Sequence, residues 1–510
     1  MKSIYSIVGL TVVAIEIDHR IFPSSSNYMA SLLGLTRSLP KPFPSISLPH
    51  QASTSWVTSN NPTLRALGYG APKRFVTSVG KSQGRLVILG TGWAGFKVLK
   101  KVNKKKYDVH VVSPRNYFVF TPLLASTSVG TLESRCILEP VKQHAREANF
   151  YEAWCDSIDL KKQQILCTSN LGDKNEKFIL DYDTLIVSVG AYSNTFNVPG
   201  VQENAFFLKD INDARAIRHR VIERFEQASQ PGTSEKDQLS LLHFAVVGGG
   251  PTGIEFSGEL HDFISDDLSK LYPNLIDKVQ MTIYDVAPNI LSNFDSSLEQ
   301  YVTKRFMRRG IKIRTGAIIE EVCSHSIKIK GGGEEPTGLV VWATGLTENP
   351  LVKAMEGQVA KDSRKRLLTD HHLRVLDPLT EEPIENVYAL GDCSTIKDYD
   401  LPATAQVAKQ KGDYLVKALN KLAREGTANI LDVTKPFDYH HIASMAYVGG
   451  WKAIVELGSD KKHDMKYAGW MSWLFWRSAY FTMSVSNKNK VLIPMYWFLT
   501  WIFGRDTSRF

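Results

Sequence analysis

Residues 85–115, RLVILGTGWAGFKVLKKVNKKKYDVHVVSPR, decide the fold. The apolar run Arg85–Leu89 predicts a strand, Gly90-Thr91-Gly92-Trp93-Ala94-Gly95 a tight loop, Phe96–Val102 a helix and Val109–Val112 a second strand. Strand, glycine loop, helix and strand in that order begin a dinucleotide-binding unit. Gly90 permits the turn, Gly92 lets backbone N–H groups approach a pyrophosphate, and Gly95 lets helix pack on strand. The second strand ends in Ser113-Pro114-Arg115 without a carboxylate, so a ribose contact there has to come from a hydroxyl or a backbone group.

The same order returns with Phe244–Val247, the loop Gly248-Gly249-Gly250-Pro251-Thr252-Gly253, a helical Ile254–Phe263 and a strand Met281–Asp285. Two complete starts imply two dinucleotides in one chain, commonly a flavin and a nicotinamide one. Asp285 at the strand end would accept hydrogen bonds from ribose hydroxyls and repel a 2′-phosphate, selecting NADH; the alternative is a solvated turn residue. Two further strands end in small residues, Asp183–Val189 at Gly190-Ala191 and Leu339–Trp342 at Ala343-Thr344-Gly345, where backbone can lie against a flat ring. Between the repeats, Ile217, Val221 and Phe225 mark an exposed amphipathic helix, and 229–240 reads as a linker. Later, Asn386–Asp392 alternates as a strand and delivers Asp392 at its end, where a carboxylate suits a ribityl hydroxyl. The segment through Ala405 leads into a helical Val407–Leu422 whose dipole aims at whatever lies above Asp392. Gln406 and Gln410 share one face of that helix, as plain exposed residues or as the lining of a pocket for a polar head such as a quinone carbonyl.

The order of strands and helices puts the chain in the α/β class, and its composition, 510 residues with 43% apolar and 22% charged, fits an ordinary globular chain rather than a disordered or polytopic one. Sixty-one Lys+Arg against 52 Asp+Glu give +9. From His19 through Tyr107 there is no acidic residue, as in an organellar transit peptide, so 1–80 is expected to be leader, with Met29 as an alternative start. A secretory signal is the rival reading, but Glu16 and Asp18 stand where its cleavage site should be. Lys104–Lys106 reads as a solvated turn, so no nucleic-acid partner is expected. Five cysteines without a C-x-x-C indicate neither a disulfide framework nor a metal site. Six of the ten tryptophans fall after residue 450, five of them on two apolar stretches, Trp470–Ser484 and Val491–Phe503, too short to span a bilayer. A monotopic membrane anchor is expected there; a buried helix pair or a dimer seam is the alternative.

RLVILGTGWAG, PRNYFVFTPLLASTSVGTLE (114–133), VGGGPTGIEFSGEL (247–260), VYALGDC (387–393) and ATAQVAKQKGDYL (403–415) closely resemble the type II NADH:quinone oxidoreductases, particularly the mitochondrial alternative NADH dehydrogenases of fungi and plants. The resemblance runs from about residue 83 to 510. It implies two Rossmann-like domains of glutathione-reductase-like plan and a C-terminal membrane-anchoring region. FAD would be held by an FAD-binding domain in two parts, 83–208 and 346–434, NADH by 209–345, and 435–510 would serve as anchor and dimer region. By motif, Gly90, Gly92, Trp93 and Gly95 would hold the FAD pyrophosphate side, Ser113 and Arg115 at the strand end would belong to the same cofactor site, and Thr121, Pro122 and Leu123 would flank the isoalloxazine. Gly190, Asp392 and Ala405 complete that cofactor site. NADH would lie on Gly248, Gly250, Thr252, Gly253, Asp285, Ala343, Thr344 and Gly345. Glu255 resembles the family's acidic residue near nicotinamide and flavin, against the plainer reading of a first-turn carboxylate favoured by the dipole. Gln406 and Gln410 resemble the quinone-site glutamines. The implied activity is non-pumping transfer from NADH through FAD to ubiquinone at the mitochondrial inner membrane, by a peripheral homodimer. No EF-hand insertion lies between Gly345 and Asn386, so calcium control is not expected. The rivals are a disulfide reductase or sulfide:quinone reductase, which need paired cysteines, and an NADH-binding flavoprotein resembling apoptosis-inducing factor.

Overall fold

Parallel strands whose successive side chains are all apolar must be covered on both faces, and Arg85–Leu89 shows this directly. Leu86 and Ile88 enter one core cluster, Val87 and Leu89 the other, and all four are fully buried. The structure, a computed structural model, describes residues 73–74, 83–172, 175–427, 429–458 and 465–509. The leader expected over 1–80 lies outside these apart from a two-residue strand, Lys73–Arg74.

Two parallel sheets carry the two glycine loops. In the first, the strands run side by side as Asn149–Asp159, Asp108–Ser113, Arg85–Leu89, Thr184–Val187 and Pro383–Ala389. In the second, the order is Ile311–Arg314, Gln280–Tyr284, His243–Val247, Leu339–Trp342 and Phe206–Phe207. Each glycine-loop strand is thus central, with its successor on one side and a returning strand on the other, which is the switch point where such sheets bind ligands. Each sheet also has an antiparallel meander: Gln164–Ser169 and Lys177–Asp181 extend the first, and Ile319–Val322, Ser326–Ile329 and Gly333–Pro336 accompany the second. The chain crosses between the sheets twice, and the crossings pair with each other, Tyr192–Ser193 against Leu346–Thr347.

Three expectations need correction. The helix between the repeats, Ile211–Ala228, is not an exposed one: Ile217, Val221 and Phe225 are fully buried because their stripe faces the core. The stretch read as a linker contains a helix, Glu235–Leu241, begun by the Ser234 hydroxyl accepting from the Asp237 N–H. The C-terminal stretches form helices Trp470–Met483 and Asn487–Phe503; the second starts before its apolar run because Ser486 caps it at Asn489. Pro494 lies inside the second helix, and no helix among the described residues is long and apolar enough to cross a membrane. Trp473, Trp476 and Trp497 point inward and are buried; only Trp451, Trp470 and Trp501 of the six are exposed. Aromatic residues in this tail therefore serve a core as well as a surface.

Before those helices stands a three-stranded antiparallel sheet, Ala443–Tyr447, Ala453–Leu457 and Met465–Gly469. It sits against the helix that follows the second glycine loop, Pro251–Phe263, at a close backbone approach. A Cβ on Gly258 would stand 2.8 Å from the Gly449 nitrogen. Gly258→Val should therefore lower the thermal midpoint by the equivalent of about 1–3 kcal/mol, the usual range for overpacking. Gly232→Ala, where a Cβ meets nothing within 4 Å, should leave it within a degree or so; equal midpoints in a melting experiment would contradict this packing account.

Candidate functional site

The first glycine loop is shaped by what a side chain would strike. Gly90 has φ +94°, and a Cβ there would meet the Ser188 carbonyl at 2.5 Å; on Gly95 it would meet the Gly90 carbonyl at 2.0 Å. At Gly92, by contrast, a Cβ would meet nothing within 4 Å, so the loop presents open space ahead of the helix Trp93–Lys101. The second loop repeats this: Gly248 at φ +113° lies over the Ala343 carbonyl, Gly253 over that of Gly248, and Gly250 is open. Each loop thus leaves room where an anion would meet helix N–H groups.

A cavity of about 1630 Å³ begins at the first loop. Gly90, Gly92, Trp93, Ser113, Arg115, Thr121, Pro122, Gly190, Asp392 and Ala405 all line it. So do Thr252 and Glu255 from the second loop and its helix, and Met445 and Tyr480 from the C-terminal region. Gly95 supports the loop from below rather than lining the space. Leu123, expected beside the flavin ring, is instead fully buried in the core, because the turn Thr121–Leu123 places its third residue inward. Gly248, Gly250, Gly253, Asp285 and Ala343–Gly345 group at the second sheet's switch point, outside this cavity's wall.

Polar groups in the cavity are tied to one another. Trp93 Nε1–H donates to Thr121 Oγ1 at 3.0 Å, and the Thr91 and Ser113 hydroxyls lie 2.8 Å apart. Arg115 pairs with Asp210, which also accepts from Tyr117 OH at 3.0 Å and caps the helix Ile211–Ala228. Burial pushes the Asp392 carboxyl up, opposed by Lys209 and Lys411. Lys411 is itself 1% exposed, and burial pushes its ammonium down to about 8. Neither lysine was picked out from sequence, because a lysine on a charged helix or loop ordinarily extends to water.

Glu255 is the meeting point. Its Oε1 accepts from the Tyr447 N–H at 3.1 Å and from Trp476 Nε1–H at 3.3 Å, both C-terminal. Burial pushes its carboxyl up to about 8, and neighbouring Glu259 adds to the shift. Its two described donors favour the ionised form and pull the other way, and burial outweighs them. The glutamines behave differently from a bare pocket lining. Gln406 accepts from the Ile442 N–H at 2.6 Å and donates to the Ala443 carbonyl at 3.2 Å. Gln410 accepts from the His440 N–H at 3.1 Å and donates to its carbonyl at 2.8 Å. Both amides thus fasten the segment entering the C-terminal sheet to the helix Ala405–Glu425, and neither lines the cavity.

At the second loop, Asp285 accepts from the Gly249 and Ala287 N–H groups. The adjacent strand brings Arg314 close, since Tyr284 pairs with Arg314, but its guanidinium is engaged by Glu335. No described cation beside Asp285 is thereby left to favour a phosphate. Asp285→Asn should raise the NADPH-to-NADH ratio of kcat/KM by about tenfold, worth about 1.4 kcal/mol; steady-state kinetics with both nucleotides checks this, and an unchanged ratio would remove the ribose role.

A family model, pyridine nucleotide-disulphide oxidoreductase, matches residues 84–412, and an NDH2 C-terminal domain model matches 441–506. A probable NADH dehydrogenase of Dictyostelium discoideum is 40% identical, over 84% of this chain and 91% of its own length. The internal alternative NAD(P)H-ubiquinone oxidoreductase A1, mitochondrial, of Arabidopsis thaliana is 38% identical, over 91% and 93%. The structure of NDH2 from Plasmodium falciparum in complex with NADH superposes with a TM-score of 0.77 at 28% identity, covering 84% of this chain and all of that one. The sulfide:quinone oxidoreductase of Aquifex aeolicus, at 16% identity and a TM-score of 0.60, shares the fold alone. With both glycine loops, the cavity between them and a C-terminal domain closing over Glu255, the chain belongs to the pyridine nucleotide-disulphide oxidoreductase family, within its type II NADH dehydrogenase branch.

Proposed function

We propose that this chain transfers a hydride from NADH to FAD and two electrons onward to ubiquinone, without pumping protons. The observation that carries this reading is the single cavity wall shared by the first glycine loop, Glu255 and Tyr480. The residues fit FAD: Gly92 leaves open space for a pyrophosphate, Asp392 stands ready for ribityl hydroxyls, and the volume exceeds the roughly 300–1,000 Å³ of a single small-ligand pocket. When bound, FAD supplies a two-electron acceptor and donor. The second loop and Asp285 would hold NADH, with Thr252 at the cavity side.

The overall change, NADH + H⁺ + quinone giving NAD⁺ + quinol, takes one proton beyond the hydride. Glu255 is suited to hold it. Its Oε1 is occupied by two donors, which leaves the acidic proton on Oε2. Trp476, stacked edge-on against Tyr480 at 4.9 Å, fixes that carboxyl in a dry wall. Gln406 and Gln410 act by holding the C-terminal sheet against the helix, a positioning role rather than contact with the quinone head. A raised carboxyl pKa means protonated enzyme below about 8 and an ionised, buried Glu255 above it, so the quinone step should fall as pH rises through about 8. Glu255→Gln should slow flavin reoxidation by quinone by about 10²-fold and abolish that pH limb. Reduction by NADH in the stopped-flow half-reaction should stay within a few-fold; an unaltered quinone half-reaction would exclude the proton role.

The enzyme is mitochondrial on this reading, as its Arabidopsis relatives are named, and peripheral on the inner membrane as a homodimer. Lipid contact is supported by the outer faces of the two C-terminal helices, where Phe475, Phe498, Trp501, Ile502 and Phe503 are exposed. Arg477 stays beneath, sandwiched between the Trp473 and Trp497 rings at 4.4 and 4.3 Å, so its charge does not face the lipid side. Replacing Phe498, Trp501 and Ile502 together by serine should lower vesicle co-sedimentation by about tenfold or more while FAD content holds; undiminished binding would sink the anchor.

A further inference from the structure

The five cysteines stand at least twelve positions apart in sequence, yet the fold places two of them opposite each other. In the antiparallel hairpin of Asn149–Asp159 and Gln164–Ser169, Cys155 is the register partner of Cys167. Register partners project from the same face of a sheet, with Cα atoms about 4.5–5.5 Å apart, inside the roughly 4.4–6.8 Å that a disulfide spans. The ladder shifts immediately beyond Cys155, between Cys155 and Ser157, so the strand is free to bend there. Cys167 is fully buried, whereas Cys155 is partly exposed and lines the large cavity beside Glu152, Ala153 and Trp154.

We propose that Cys155 and Cys167 form an oxidisable dithiol, a modification site that closes to a cross-strand disulfide when a hydroperoxide reaches Cys155. The asymmetry of the pair sets the order of events. Cys155, the partly exposed member of the pair, attacks the oxygen of hydrogen peroxide; the O–O bond breaks, an S–O bond forms, and one water leaves. Cys167 then attacks the oxidised sulfur; the S–S bond forms, the S–O bond breaks, and a second water leaves. In sum, two thiols and one hydrogen peroxide give one disulfide and two waters. The adjacent Cys155 sulfur and burial hold the Cys167 thiol above the ordinary thiol range while both are reduced, and oxidation of Cys155 removes the first of these causes, freeing Cys167 to attack second. Cys155 and Glu255 both line the cavity, but from different elements, the strand Asn149–Asp159 and the helix Pro251–Phe263, so oxidation changes the cavity wall without changing the proton-holding group itself.

The experiment uses the FAD-loaded, full-length enzyme. Hydrogen peroxide is added, remaining thiols are blocked with N-ethylmaleimide under denaturing conditions, and the digest is read by mass spectrometry before and after reduction. The expected result is a peptide pair joined through Cys155 and Cys167, two hydrogens lighter than the sum of its parts, with two fewer of the five cysteines alkylated. In Cys167→Ser the same treatment should leave Cys155 as a sulfenic acid that dimedone traps, and in Cys155→Ser no dimedone adduct should form at position 167. Full alkylation of both cysteines in the oxidised wild type, or a disulfide joining either to another cysteine, would overturn the proposal. Dimedone capture at Cys167 ahead of Cys155 would overturn the order of attack.

Discussion

One helix face carries the assembly. On Pro251–Phe263, Glu255, Glu259 and Asp262 share one face at i, i+4 and i+7; Glu259 is satisfied by one part of the chain, and Glu255 and Asp262 are both held by the C-terminal region. Glu259 accepts from Ser126 Oγ at 2.6 Å and Thr131 Oγ1 at 2.8 Å, which belong to the segment following the first sheet's second strand. Asp262 accepts from Tyr447 OH at 2.6 Å and the Gly450 N–H at 2.9 Å, and pairs with Arg309. Glu255 takes its two donors from Tyr447 and Trp476. Carboxyl groups buried at such a junction are costly unless every partner is present, so removing one partner destabilises far more than a surface pair would. The helix that begins as a nucleotide cradle is, along its length, the joint between both dinucleotide folds and the C-terminal region.

That joint explains why the C-terminal region does more than bind lipid. Tyr480 and Met445 complete the cavity wall, and the buried faces of both terminal helices supply Trp473, Trp476, Ile493 and Trp497 to the main core. A segment whose inner face is core and whose outer face is apolar has no choice but to bring the cavity and the outer face close together. Under the proposed reaction this is what a lipid-borne quinone requires, since its tail stays in an apolar phase while its head must reach a group held by Glu255.

The legible part of this fold was the part governed by local chemistry. A strand of uniformly apolar residues, glycines at fixed spacing and a helix start together specify both sheets, and Arg85–Leu89 and Leu339–Trp342 fall where the sequence placed them. Boundaries slipped by one to three residues: the first loop helix begins at Trp93 rather than Phe96, and Asp285 lies just past the strand Gln280–Tyr284. What sequence did not disclose is long-range. Nothing local distinguishes a glutamine that lines a pocket from one that grips a backbone 30 or more residues away, as Gln406 and Gln410 do. The same holds for Lys411, whose burial depends on the first loop helix packing along Ala405–Glu425, and for the tryptophans of the tail, which composition alone assigns to a membrane surface.

The two glycine loops also show how one backbone device is tuned twice. Both leave an open position ahead of a helix, so both can receive a phosphate. They differ at the end of the following strand. Ser113 there is bonded to Thr91, and Arg115 is drawn off to Asp210, leaving a neutral edge, whereas Asp285 puts a carboxylate against the Gly249 N–H. A neutral edge tolerates whatever ribose contact a permanently bound cofactor makes. A carboxylate edge discriminates between nucleotides that exchange at every turnover. Under the proposed reaction that difference suits residence to the first fold and selection to the second, with Glu255 at the cavity wall where the electrons would change carrier.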